Sequence, residues 1–207
     1  MRKAIAQTLL DTKAVFLSPD KPFTWASGIQ SPIYCDNRKV LAFPKARDVI
    51  KQYFLKVLES YDYDAIMGTA TAGIPMASIL ADATHKPLGY VRSGKKAHGR
   101  GNQIEGFLEK GAKVIVIEDL LSTGGSVLQV VDALREAGME VIEVLAIFSY
   151  NMQRATDAFL EKQVSFKTLS DFDVLMEVAA EKGLITATQV QQLKAFQQNP
   201  ADNSWMN

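Results

Sequence analysis

The apolar positions along the chain change spacing in a regular way. After Pro44, residues Val49, Ile50, Tyr53, Phe54, Val57 and Leu58 fall on one face at helical spacing and predict an amphipathic helix. Asp64 to Gly68 (DAIMG) reads as a short buried strand, TATAG (69–73) as a turn, and Ile74 to Ala83 as a second helix. Leu88 to Arg92 and Val114 to Glu118 are apolar runs of strand length. From Gly125 to Ala137 the spacing is helical again, with Val127, Leu128, Val130, Val131 and Leu134 facing inward and Gly138 as the stop. Val141 to Phe148 is a further strand. This alternation between residues 45 and 148 predicts an α/β fold, a parallel central sheet flanked by crossover helices.

The flanking segments read differently. Near the N-terminus, Ile5, Leu9 and Leu10 suit one face of a helix. Gln7, Thr8, Asp11, Thr12 and Lys13 interrupt that stretch, so no signal peptide is read there. Residues 18–38, SPDKPFTWASGIQSPIYCDNR, predict turns and short strands. Residues 93–106, SGKKAHGRGNQIEG, combine four glycines with several bases and predict a long mobile loop. After residue 150 helices are expected to dominate. Ser170 is expected to cap one and Gly183 to end it, with Thr186 and Gln189 forming a capping box for the next. The expected organisation is a single domain over 1–207, with a core of about 41–150 and a small hood from about 1–40 plus 151–200. The tail, 200–207, is expected to fray.

Composition narrows the function more than the fold. At 207 residues, 47% apolar and 22% charged, the chain is ordinary globular protein and can bury a core without disulfides. Lys+Arg and Asp+Glu both number 23, which argues against a general nucleic-acid coat or a polybasic membrane binder. No apolar stretch approaches the roughly 18 residues of a membrane span. Cys35 is the lone cysteine, so no internal disulfide forms and a reducing compartment, the cytoplasm, is expected.

Candidate chemistry concentrates in VIVIEDLLSTGGSV (114–127), a strand, an acid pair, a run of small residues and a helix start. Backbone N–H groups in Thr123-Gly124-Gly125-Ser126 would converge at the helix N-terminus, where the dipole favours an anion. Glu118 and Asp119 cannot bind phosphate, because ionised carboxylates only accept hydrogen bonds. They suit paired hydroxyl donors such as a ribose diol, so a ribose 5-phosphate satisfies both halves of the stretch. A plain strand end with solvated acids is the bland reading. Two other nucleotide motifs fail. A dinucleotide fingerprint has its glycines first and its acid about 20 residues later. The near-match to a Walker loop, GYVRSGKK (89–96), ends in Lys96, which has no hydroxyl for magnesium.

VIVIEDLLSTGGSV resembles the phosphoribosyl pyrophosphate signature of the type I phosphoribosyltransferases. FTWASGIQSPIYCDNR (23–38), GTATAGIP (68–75) and YVRSGKKAHGRGNQIEG (90–106) extend the resemblance over most of the chain and narrow it to the orotate-specific family. The resemblance implies the type I fold with a hood, and transfer of phosphoribosyl from phosphoribosyl pyrophosphate (PRPP) to orotate. It implies that PRPP is held by Arg92, Lys96 and His98 and by Glu118, Asp119, Leu120, Leu121, Ser122, Thr123, Gly124, Gly125 and Ser126. Catalytic roles fall to Lys96, His98 and Asp119, with Lys96 the main electrostatic catalyst. TATAG is similar to the family's second pyrophosphate loop. Mg2+ is implied, held mainly by substrate and water, with no dedicated protein metal site. A homodimer is implied, its 93–106 loops reaching the neighbouring active sites. No nucleic-acid or membrane partner is implied.

On the base side, Ser122 is expected to touch orotate beneath the 23–38 hood. Two departures stand out: Ala26 where many relatives have Lys, and Met152 where many have Arg. The orotate carboxylate calls for a cation. Arg38 is the candidate in the right stretch and Arg154 a poorer one, while a surface ion pair is the other reading of Arg38. Phe23 and Trp25 suit either a cover for the base or hood core. Two further readings stay open: transfer to another base, and a non-catalytic PRPP sensor.

Overall fold

The computed structural model describes residues 1–25, 28–92 and 103–206. In chain order the elements begin with α1 (Arg2–Asp11), β1 (Val15–Leu17), β2 (Phe23–Thr24), β3 (Gln30–Ser31) and β4 (Ile33–Cys35), then a 3-10 turn over Asn37–Ala42. There follow α2 (Pro44–Leu58), β5 (Ala65–Thr69), α3 (Gly73–Thr84), β6 (Leu88–Val91), β7 (Ile104–Glu105), β8 (Lys113–Leu121), α4 (Gly125–Glu136) and β9 (Glu140–Ser149). The chain closes with α5 (Gln153–Glu161), β10 (Phe166–Asp171), α6 (Phe172–Glu181), α7 (Ala187–Gln198) and a 3-10 turn over Ser204–Met206.

The central sheet runs β10-β9-β8-β5-β6-β7, parallel throughout except for the short antiparallel edge β7. The apolar run that opens β8 is buried on both faces. Val114 and Val116 join the apolar cluster under α4, while Ile115 and Ile117 join the cluster that contains α1, α2, α3, α6 and α7. That is the period-two alternation of a strand between two helical layers. The expected α/β architecture is therefore the observed one, and each core element forms within a few residues of its predicted span.

Four local expectations change. Strand β8 continues through the acid pair to Leu121 rather than ending at Glu118. Within 93–106, Ile104 and Glu105 form β7 on β6. Helices are not alone after residue 150, because β10 pairs in parallel with β9. Its terminal Asp171, not Ser170, caps α6 by accepting the Val174 N–H at 3.1 Å. Ser170 lies inside the strand and is fully buried. In the tail, residues 201–204 and Met206 are exposed and Trp205 is buried. Trp205 is 3% exposed and packs edge-on against Phe196, its indole removed from water by α7. The Thr186–Gln189 capping box forms in both directions, and Gly183 follows α6 at a positive φ of 68°.

The N- and C-terminal segments meet. Lys3 of α1 pairs with Glu177 and Glu181 of α6, and Lys182 with Asp11. Arg2 forms an ion pair with the buried Asp171. Trp25 stacks between Tyr150 and Phe196, with centroids at 5.8 and 5.7 Å. Among the described residues no helix is long and apolar enough to cross a membrane.

Candidate active site

The carboxyl ends of β5 and β8 and the start of α4 enclose a cleft of about 240 Å³. Open parallel sheets bind ligands at such ends. Glu118, Asp119, Leu120 and Ser126 line it, facing Thr69, Ala70, Thr71 and Ala72 across the gap. Arg92 and Gln103 close one side and Gln129 of α4 another. Both the acid pair and the helix N-terminus thus open on one space. The first N–H groups of α4 have no intrahelical acceptors, and no side chain caps them.

Gly124 makes the junction possible. It precedes α4 at φ 80°, and a Cβ there would lie 3.0 Å from the Phe159 ring. Across the cleft, the turn at Ala70–Ala72 leads into α3, and the Ala70–Thr71 peptide is cis. The first residue of α3, Gly73, sits so close to β8 that a Cβ would fall 2.3 Å from the Ile117 carbonyl oxygen. The two loops are held together by this backbone contact and by Thr69, whose buried hydroxyl donates to the same oxygen at 3.2 Å.

The carboxylates are not ordinary surface acids. Glu118 is 7% exposed, and its Oε1 accepts the Asp119 backbone N–H at 2.9 Å. Burial, then the hydrogen bond and charge of Asp119, raise its pKa to about 8. Burial also raises Asp119, opposed by Glu118's hydrogen bond and by the Arg38 charge. Both shifts oppose ionising the two carboxyls together.

A second cavity of about 470 Å³ adjoins the first, sharing Thr71, Ala72 and Asp119 and adding Cys35, Asp36 and Arg38. Arg38 pairs with Asp36 at 2.7 Å and holds that carboxyl below its usual range. So Arg38 makes the surface ion pair and also stands at the cavity with Asp119 in reach of its charge. Burial pushes the Cys35 thiol well up.

The other expected site residues fall into distinct places. Ser122 is half-buried, and Thr123 and Gly125 are exposed at the β8–α4 junction; these and Gly124 flank the cleft without lining it, and α4 meets the cleft at Ser126. Leu121 does not line the cleft. Its side chain is 1% exposed in the apolar cluster under α4, and its carbonyl accepts the Tyr150 N–H at 3.0 Å. Arg92 reaches the cleft and pairs with Glu105 at 3.4 Å, while Gln103 donates to its carbonyl at 2.7 Å. Lys96 and His98 lie outside the described residues, as does Ala26. Arg154 is exposed on α5 and lines neither cavity, and Met152 is buried. Phe23 pairs with Tyr34 at 5.7 Å. Thr69 opens the TATAG stretch already singled out as the second pyrophosphate loop. Gln129 was not singled out, and one polar residue on a helix gave no signal.

Residues 37–175 match the phosphoribosyl transferase domain. The chain is 52% identical to the orotate phosphoribosyltransferase of Bacillus pumilus over 208 aligned positions, covering 100% of this chain and 98% of that one. It superposes on the crystal structure of orotate phosphoribosyltransferase from Aeropyrum pernix with a TM-score of 0.76 at 29% identity, covering 88% and 99% of the two chains. For Leishmania donovani UMP synthase the TM-score is 0.79 at 30% identity, over 94% of this chain and 42% of that longer one. The chain belongs to the phosphoribosyltransferase family and, within it, to the orotate phosphoribosyltransferases.

Proposed function

We propose that the chain transfers the phosphoribosyl group of PRPP to orotate, giving orotidine 5′-monophosphate and pyrophosphate in pyrimidine biosynthesis. One observation carries the reading: the acid pair of β8 and the N-terminus of α4 open on the same cleft. The 5-phosphate sits on the Thr123–Ser126 backbone at the helix start. The ribose diol donates to Glu118 and Asp119. Burial, which raises the Glu118 pKa, lessens the conflict of placing two acids beside a phosphate, because it favours a less negative pair.

In the reaction a bond forms between the orotate ring nitrogen and the anomeric carbon as the carbon–oxygen bond to pyrophosphate breaks. Positive charge grows on the sugar, beside the Asp119 carboxyl group, and negative charge grows on the leaving group. Arg92 at the cleft counters the latter; by family resemblance Lys96 and His98 join it, His98 giving a hydrogen bond or a proton to the leaving oxygens. Thr71 and Ala72 border both cavities, so pyrophosphate on this turn lies next to the base site.

Mg2+ fits as a companion of the substrate. The cleft offers two carboxyl groups, which is too few for an all-protein octahedral cage. Among the described residues no cluster of three or more metal-ligating side chains occurs. Glu118 and Asp119 would meet the ion only through water, and when bound it neutralises pyrophosphate charge. By family resemblance the working unit is a homodimer with shared sites, and the lone cysteine supports a cytoplasmic location.

The test is loss of orotate absorbance with PRPP and magnesium, beside Lys96→Ala. Turnover with a loss of about a hundredfold or more in the variant is expected. Turnover with unchanged rate in the variant would discard the Lys96 role, and no turnover with orotate would discard the reaction.

A further inference from the structure

The 23–38 hood segment reaches the acid pair through one side chain that the reaction scheme has not used. Asn37 is 2% exposed, at the start of the 3-10 turn that follows β4. Its Nδ2 donates to the Asp119 backbone carbonyl at 2.6 Å, across 82 residues of sequence. Its Oδ1 accepts from the Cys35 thiol at 3.2 Å. The carbonyl bond fixes which way the amide faces, because only the NH2 end can donate to it, and the Cys35 thiol then satisfies the Oδ1 end.

The position of this contact matters. The ladder between β5 and β8 ends at Gly68 and Ile117, two residues before Asp119, while β8 continues to Leu121. Beyond Ile117 the β5 flank of β8 is no longer held by sheet pairing, yet there the carboxylates must point at the ligand. An amide on the Asp119 carbonyl fixes that peptide plane and, through it, the direction of the Asp119 side chain. Burial makes the clamp effective, since a carbonyl stripped of it finds no easy replacement from water.

We propose that Asn37 is a positioning residue for the acid pair, clamping the end of β8 so that both carboxylates face the ribose hydroxyls. Cys35 acts behind it by holding the Asn37 amide in register. The inference rests on the assignment of Glu118 and Asp119 to the ribose diol, and the experiment separates failure of one from failure of the other.

The experiment compares inhibition of PRPP turnover by ribose 5-phosphate and by 2-deoxyribose 5-phosphate. Wild type should favour the ribose compound by about tenfold, the worth of one hydroxyl on a carboxylate. In Asn37→Ala that preference should collapse toward unity, with KM for PRPP raised, KM for orotate unchanged and the melting temperature lowered by several degrees, the cost of leaving the buried Asp119 carbonyl unpaired. Cys35→Ala should lose part of the preference and Cys35→Ser should restore it. Asn37→Asp, the same shape without the donor, covers the case in which the alanine variant does not fold, and should behave like it. A wild type that does not distinguish the two sugars would overturn the diol assignment and the proposal with it. A wild type that distinguishes them, beside Asn37 variants that keep the full preference, would overturn the positioning role alone.

Discussion

On the phosphate and ribose side of the cleft, the expected contacts come from consecutive residues, 118–126, at a single strand-to-helix junction. On the base side, Cys35, Asp36 and Arg38 come from one end of the chain and Thr71 and Ala72 from the middle. The first half is a local structure: strand β8 aims the acids, Gly124 turns the chain, and α4 presents its N–H groups. The second half exists only once the N-terminal segment lies over the sheet. A contiguous half keeps most of its chemistry as long as its own strand and helix form, with the Asn37 amide on the Asp119 carbonyl as a tie to the N-terminal segment. A composite half changes with any shift between segments, which suits it to discriminate among bases on a common sugar-phosphate platform.

The contrast can be broken most severely where the two halves touch. Gly73→Ala puts a Cβ where the Ile117 oxygen and the Thr69 hydroxyl now stand, at 2.3 and 2.5 Å. Backbone must move, so a stability loss of about 3 kcal/mol is expected, with orotate turnover nearly abolished. Thermal unfolding and initial rates check it, and a variant with wild-type rates would show the contact is dispensable. Next, Asp119→Asn should lower kcat/KM for PRPP about a hundredfold, by removing a carboxyl acceptor, while orotate affinity stays within about twofold. Equal damage to both substrates would erase the division into halves.

A third effect sharpens the electrostatics. Glu118 has a folded pKa of about 8, above its unfolded value, so the folded state binds the extra proton between roughly pH 4.5 and pH 8. Ligand-free stability from this group is full below that window and falls as pH rises through it, by up to a few kcal/mol. Glu118→Gln should remove the decline. Parallel melting curves of the two proteins against pH would show that the buried proton is not there. The smallest effect belongs to the composite half: Arg38→Ala should raise KM for orotate about tenfold and leave KM for PRPP alone. An unchanged orotate KM would reduce Arg38 to its exposed pairing with Asp36, which is worth little.

The same contrast explains what the sequence made legible. The core elements and the 118–126 junction were readable because their information is local: burial on both faces demands an unbroken apolar run, and the turn demands small residues. Strand β10 was not, because Ser170 and Asp171 are polar yet almost fully buried, at 0% and 1% exposure. Strand β7 spans two residues, too few to show a period. The buried Trp205 looked like part of a polar tail because its partner, Phe196, sits on the preceding helix. At the site, Asn37 bonds across elements, and no spacing announces a contact made 82 residues away.

The placement of the two tryptophans has a practical consequence. Trp25 and Trp205 both pack against Phe196, and the chain has no other indoles. Tryptophan fluorescence therefore observes one aromatic cluster where the N- and C-terminal segments meet. An emission change on adding orotate would report a rearrangement of that cluster. A probe on the phosphate half has to be introduced by design.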